Sequence, residues 1–125
     1  MYAPIKRSFG SPRSKYKNIP TMVDGFRFSS KAEAAHYQDL VIMQRVGLVN
    51  WFIRQPRFDI GAGVVYVADF LVHWNKSGDG YTNEHVSVQD VKGALTQAFE
   101  IKRKLFEEIY GPLEVIKKKA KSHRS

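Results

Sequence analysis

Two segments, Tyr66-Val67-Ala68-Asp69-Phe70 and Val88-Gln89-Asp90-Val91-Lys92-Gly93, constrain this chain more than any other feature. Both read as strands, because they are rich in β-branched and aromatic residues. Each places a carboxylate where an ordinary strand would carry another apolar side chain. Alternation puts Val65, Val67, Asp69 and Leu71 on one face of the first strand, and Val86, Val88, Asp90 and Lys92 on one face of the second. A half-buried carboxylate costs on the order of several kcal/mol unless it is paired or coordinates a metal. Two of them on neighbouring strands, with an ammonium two residues beyond the second, suggest a divalent-metal site.

The composition narrows the substrate. The chain has 125 residues, enough for one domain with a real core, and a formal net charge of +8. Such a basic balance favours a polyanionic partner, with nucleic acid ahead of a membrane surface. A phosphodiester is the obvious substrate. There is no cysteine, so disulfides and thiolate zinc sites are excluded. Lys6 and Arg7 have no apolar run behind them, so no secretory signal is expected. No apolar run is long enough to span a bilayer. The expected compartment is the cytoplasm, that of the host cell if a phage encodes the chain.

Residues 1–20 hold Lys6, Arg7, Arg13, Lys15 and Lys17 with three prolines and no acid, and read as a flexible basic arm. Residues 21–117 read as the folded domain, and 118–125 as a basic tail. Asp24-Gly25 between alternating apolar residues predicts a hairpin. Ser29 or Ser30 caps a helix running to about Val46, stopped by Gly47. Val49–Arg54 is a strand, broken by Gln55-Pro56 and resumed at Arg57–Ile60. Val64–Trp74 reads as one long strand, and Tyr81 or His85 to Val91 as the next. A helix from about Leu95 to Tyr110 ends at Gly111-Pro112, and Leu113–Ile116 is a last short strand. The expected class is α/β: a mixed sheet with a helix on either side, its last strand parallel to the one before through a right-handed crossover.

Magnesium-assisted hydrolysis needs carboxylates to hold the metal, which polarises the phosphate and lowers the pKa of the attacking water. Asp90 and Lys92 share a strand face, with the Val91 carbonyl between them as a further oxygen donor. Asp69 on an adjacent strand would meet them at about 5 Å. A surface pair at Asp90 and Lys92, with Asp69 marking a strand end, is the alternative. Glu33 has two readings. Ser30-Lys31-Ala32-Glu33 is a capping box in which Glu33 reaches back to the Ser30 amide. Glu33 also shares a helix face with Tyr37, Leu40 and Gln44, which directs it toward the sheet. Gln55 at the strand break would touch DNA or a metal-bound water, or satisfy backbone groups at the bend. Lys102 and Lys104 would meet phosphates or form a solvated face. His36, His73, His85 and His123 have no metal-ligand spacing. Trp51, Phe52, Phe99, Phe106 and Tyr110 are expected in the core.

The ordered set Val23-Asp24-Gly25-Phe26-Arg27-Phe28-Ser29-Ser30-Lys31-Ala32-Glu33-Ala34, Gln55-Pro56-Arg57-Phe58, Tyr66-Val67-Ala68-Asp69-Phe70, Asp90-Val91-Lys92-Gly93 and Lys102-Arg103-Lys104-Leu105-Phe106 resembles the PD-(D/E)XK nuclease superfamily. More closely, it resembles small phage and prophage proteins within it. The resemblance covers about residues 16–117. It implies an αβββαβ restriction-endonuclease-like core and a Mg2+-dependent DNA endonuclease, with Mn2+ as a substitute. Asp69 and Asp90 would ligate metal with the Val91 carbonyl, Glu33 would hold a metal or its water, and Lys92 would be the catalytic lysine. Ala68 stands where the superfamily's name has proline, a departure that the superfamily tolerates. Lys6, Arg7, Arg13, Lys15, Lys17, Gln55, Arg57, Lys102 and Lys104 are the candidate DNA contacts. With basic arms and no separate sequence-reading domain, shape recognition is expected, most specifically of a four-way (Holliday) junction in recombination. Paired cuts on opposed strands would need a homodimer. Non-selective or end-processing endonuclease activity is one alternative, and a non-enzymatic DNA-binding module is the other.

Overall fold

The computed structural model describes residues 20–76 and 83–117. Strands β1 (Thr21–Val23) and β2 (Phe26–Phe28) form the expected hairpin. Its turn needs positive φ at both central positions, and Asp24 (φ 52°) and Gly25 (φ 83°) supply it. The Tyr37 hydroxyl donates to Asp24 Oδ2 at 3.0 Å and pins the hairpin to the first helix.

Helix α1 spans Lys31–Arg45 with Ser30 as N-cap, whose Oγ accepts from the Glu33 amide at 3.1 Å. Its buried stripe is Glu33, Ala34, His36, Tyr37 and Leu40. Gly47, at φ 93°, takes the left-handed conformation that ends the helix region.

Six further strands follow: β3 (Val49–Arg54), β4 (Arg57–Asp59), β5 (Val65–Val67), β6 (Phe70–Trp74), β7 (His85–Lys92) and β8 (Glu114–Lys117). Helix α2 (Gln97–Tyr110), capped by Thr96, joins the last two. The main sheet has the order β3-β6-β7-β8. Its β3–β6 and β6–β7 pairs are antiparallel, and β7–β8 is parallel as expected for a connection through a helix. The mixed α/β class is therefore the observed one. The alternative start of β7 at Tyr81 falls outside the described residues.

The single strand expected over Val64–Trp74 is two strands. Residues of β5 pair with β4 in a separate two-stranded sheet, while β6 joins the main sheet. The chain changes partners at Ala68-Asp69. The Ala68 amide donates to the Pro56 carbonyl at 3.1 Å, and the Asp69 amide to the Gln89 carbonyl at 3.1 Å. The break at Gln55-Pro56 in the facing segment accompanies this exchange, with Gln55 at φ 54° and its amide on the Asp69 carbonyl at 2.9 Å. The expected continuous face Val65, Val67, Asp69, Leu71 is thereby split. Val65 and Val67 are exposed, and Tyr66 and Ala68 turn inward.

Two apolar clusters flank the sheet. Phe28, Tyr37, Leu40, Val49, Phe70, Val72 and Val91 lie beneath α1. Ile60, Tyr66, Ala68, Phe99, Phe106 and Leu113 lie beneath α2. Phe99 and Phe106 are core as expected, whereas Trp51 and Tyr110 are 41% and 46% exposed. Trp51 instead stacks on His73, centroids 5.0 Å apart, on a part of the sheet outside both clusters.

Candidate metal centre

The β6–β7 register pairs Phe70 with Gln89, which sets Asp69 opposite Asp90 at the end of the ladder. Their carboxyls are close enough for the Asp90 charge to act on Asp69. Asp69 Oδ2 also accepts from the Val91 amide at 2.7 Å. In an extended strand the N–H and C=O of one residue point to the same side, so the Val91 carbonyl is directed to the Asp69 side as well. Asp90 is 2% exposed and is held from two directions. The Tyr66 hydroxyl donates to its Oδ2, and Lys92 Nζ lies 3.2 Å from its Oδ1. The Lys92 ammonium also sits 4.6 Å over the Phe99 ring. That contact steadies its head at the mouth of the site.

This packing leaves too much negative charge for the one ammonium. The Asp69 pKa is pushed up to about 8, first by burial, then by the Asp90 charge and by the Glu33 charge; the Val91 amide pulls it the other way. Burial and the bond to Asp90 also push the Tyr66 hydroxyl up, so it stays a donor. Without a cation, Asp69 is thus held well above the ordinary aspartate range.

Glu33 combines its two readings in part. It does reach back, but one residue further than expected: its Oε1 accepts from the Ser29 hydroxyl at 2.7 Å and the Ser29 amide at 3.3 Å, not from Ser30. Its carboxylate is 4% exposed and close enough to raise Asp69. No three His, Cys, Asp or Glu side chains among the described residues converge as a ready-made metal cluster. Two carboxylates and a carbonyl still fit Mg2+, which keeps several waters and takes one or two carboxylates.

A cleft of about 390 Å³ opens beside the pair, lined by Tyr66, Asp90, Lys92, Thr96, Phe99 and Lys102 among others. Lys102 is thus brought to the site. Lys104 leaves α2 from another side and is not among the lining residues. Arg57 is exposed on β4, outside that lining. Gln55 holds the Asp69 segment through its backbone amide, and it is not among the residues lining the cleft. Lys6, Arg7, Arg13, Lys15 and Lys17 lie outside the described residues, as do residues 118–125.

Three residues escaped the sequence reading. Tyr66 was hidden because a continuous strand puts it on the face opposite Asp69. His36 and Gln89 form a buried pair behind the site, Nε2 to Oε1 at 2.7 Å, and Gln89 Nε2 donates to Glu114 Oε1 at 3.0 Å. The buried helical face carrying His36 was the available signal for this pair.

A family profile, described as a protein of unknown function (DUF1064), matches residues 13–124. The chain belongs to this family. The DUF1064 match spans Glu33, Tyr66, Asp69, Asp90 and Lys92 alike. Neither the curated proteins nor the solved structures contain a match. No helix among the described residues is long and apolar enough to cross a membrane.

Proposed function

We propose that this protein is a metal-dependent DNA endonuclease of the PD-(D/E)XK type, selective for branched DNA and most specifically for four-way junctions. The observation that carries the reading is the buried pair of carboxyls, Asp69 opposite Asp90, beside Lys92 at the mouth of a cleft. Buried like charges are expensive, and a divalent cation would relieve them. Asp69, Asp90 and the Val91 carbonyl would hold Mg2+ or Mn2+, with Glu33 near enough to orient a water. When bound, the metal supplies a polarised phosphoryl group and an activated water.

The chain's own groups do the rest. Lys92, kept in place by Asp90 and the Phe99 ring, meets the charge that builds on the phosphoryl oxygens. Tyr66 holds Asp90 in one rotamer. Lys102 on the cleft rim binds a flanking phosphate. The net charge of +8 supports a polyanionic substrate, and the basic arms support recognition by shape. Two cuts on opposed strands call for two copies.

The test uses the purified protein and its Asp90→Ala variant on a labelled four-way junction and the matched linear duplex, with magnesium and with chelator. Metal-dependent paired cuts in the junction alone, lost in the variant, are the expected result. Equal cutting of both DNAs would keep the nuclease and remove the selectivity. Tight binding without cleavage under either metal would leave a DNA-binding module.

A further inference from the structure

Helix α2 carries more apolar surface than its own domain uses. Phe99 and Phe106 are buried against the second cluster. Around the helix from them, Ile101, Leu105 and Ile109 follow the i, i+4, i+8 spacing of a continuous stripe, and they are 55%, 41% and 54% exposed. A helix with a second apolar stripe is built to be covered on both sides.

The charges beside this stripe indicate what covers it. At about 100° per residue, Lys104 and Glu108 lie on one edge of the stripe and Lys102 on the other. Suppose a second copy packs its stripe on the first. A two-fold axis across two antiparallel helices brings each edge against its own equivalent, run in reverse. Lys104 of each copy then comes beside Glu108 of the other, and Ile101 beside Ile109, with Leu105 near the axis. A parallel pair would instead set the Lys104 edge against the Lys102 edge, ammonium facing ammonium. Phosphate contact would not use an apolar stripe at all.

We propose that the outer face of α2 is a contact between two copies of this chain, packed antiparallel about a two-fold axis near Leu105. The same symmetry keeps the two Lys102 edges together. The clefts that Lys102 lines therefore open to one side of the pair, as a single branched DNA would require. That consequence rests on the nuclease reading; the pairing rests on the stripe and its charges.

The test is sedimentation and light scattering of the full chain without DNA or metal, so its outcome is independent of catalysis. Wild type is expected to be dimeric at about 100 µM, where a Kd of micromolar order leaves most chains paired. Leu105→Asp, at an exposed position, should keep the wild-type circular dichroism, and the wild-type melting point at chain concentrations well below the Kd, but weaken pairing at least about 100-fold. Glu108→Lys should weaken it about tenfold, and adding Lys104→Glu should restore it to within about threefold. A monomeric wild type, or a Leu105→Asp variant that still dimerises, would overturn the proposal. A charge swap that fails to rescue would overturn the antiparallel arrangement.

Discussion

Gln89 and Asp90 are consecutive residues of β7, equally buried, and they point to opposite faces of the sheet. On the α1 face, Gln89 bonds His36 and Glu114, while Glu33 nearby bonds Ser29. Gln89, His36 and Glu33 each have a partner of matching character there. On the other face, the Lys92 ammonium pairs with Asp90, and beside it the Asp69 pKa is raised by burial and by the Asp90 charge. A satisfied network fixes a fold; an unbalanced one is kept for something it has yet to bind. One peptide bond separates the two.

The largest expected effect breaks the comparison on the unbalanced side. Asp90→Ala should reduce cleavage at least about 1,000-fold, equivalent to about 4 kcal/mol of barrier. Its melting point should fall, because the Tyr66 hydroxyl loses its acceptor and Lys92 its partner. DNA binding, read by gel shift, should be retained or tighter. Gln89→Ala should act on stability and leave the carboxyl pair in place. It leaves the His36 and Glu114 atoms that bonded the amide without that partner, and should lower stability by about 2–3 kcal/mol in denaturant titrations.

Titration sharpens the contrast further. The Asp69 pKa is raised in the folded chain, so the fold binds a proton that the unfolded chain has released. Stability from this group is complete below the ordinary aspartate range and is lost as pH rises toward about 8. The metal-free protein should lose up to about 1.4 kcal/mol per pH unit in that window. Saturating Mg2+ should flatten the slope, and so should Asp69→Asn. Chemical melts at several pH values, with chelator and with metal, measure both. The smallest expected change is Glu33→Gln. Its amide oxygen can still accept from Ser29, so stability should hold within about 1 kcal/mol. The lost charge beside Asp69 should lower the metal-dependent rate about tenfold. Full retention of rate would reduce Glu33 to a cap.

The residue types of this site were legible in the sequence; its wiring was not. Asp69, Asp90 and Lys92 stood out because carboxylates interrupted apolar strands, and the ordered motifs placed Glu33 with them. The hairpin, both helices and the parallel β8 followed from Asp24-Gly25, the serine and glycine caps and the helix between two strands. The exchange of partners at Ala68-Asp69 did not follow, because it goes with backbone contacts to Gln55 and Pro56, distant in sequence between β3 and β4. Local alternation alone placed Tyr66 on the wrong face. His36 likewise gave no spacing signal, since its partner Gln89 is distant in sequence and takes its position from the β7 register.

The most direct measurement is a calorimetric titration of Mn2+ into the wild type and Asp90→Ala near neutral pH, in two buffers of different ionisation enthalpy. Binding of a metal ion with release of nearly one proton, lost in the variant, is the expected result. Binding that persists in Asp90→Ala, or that releases no proton, would contradict a metal centre built on the Asp69–Asp90 pair.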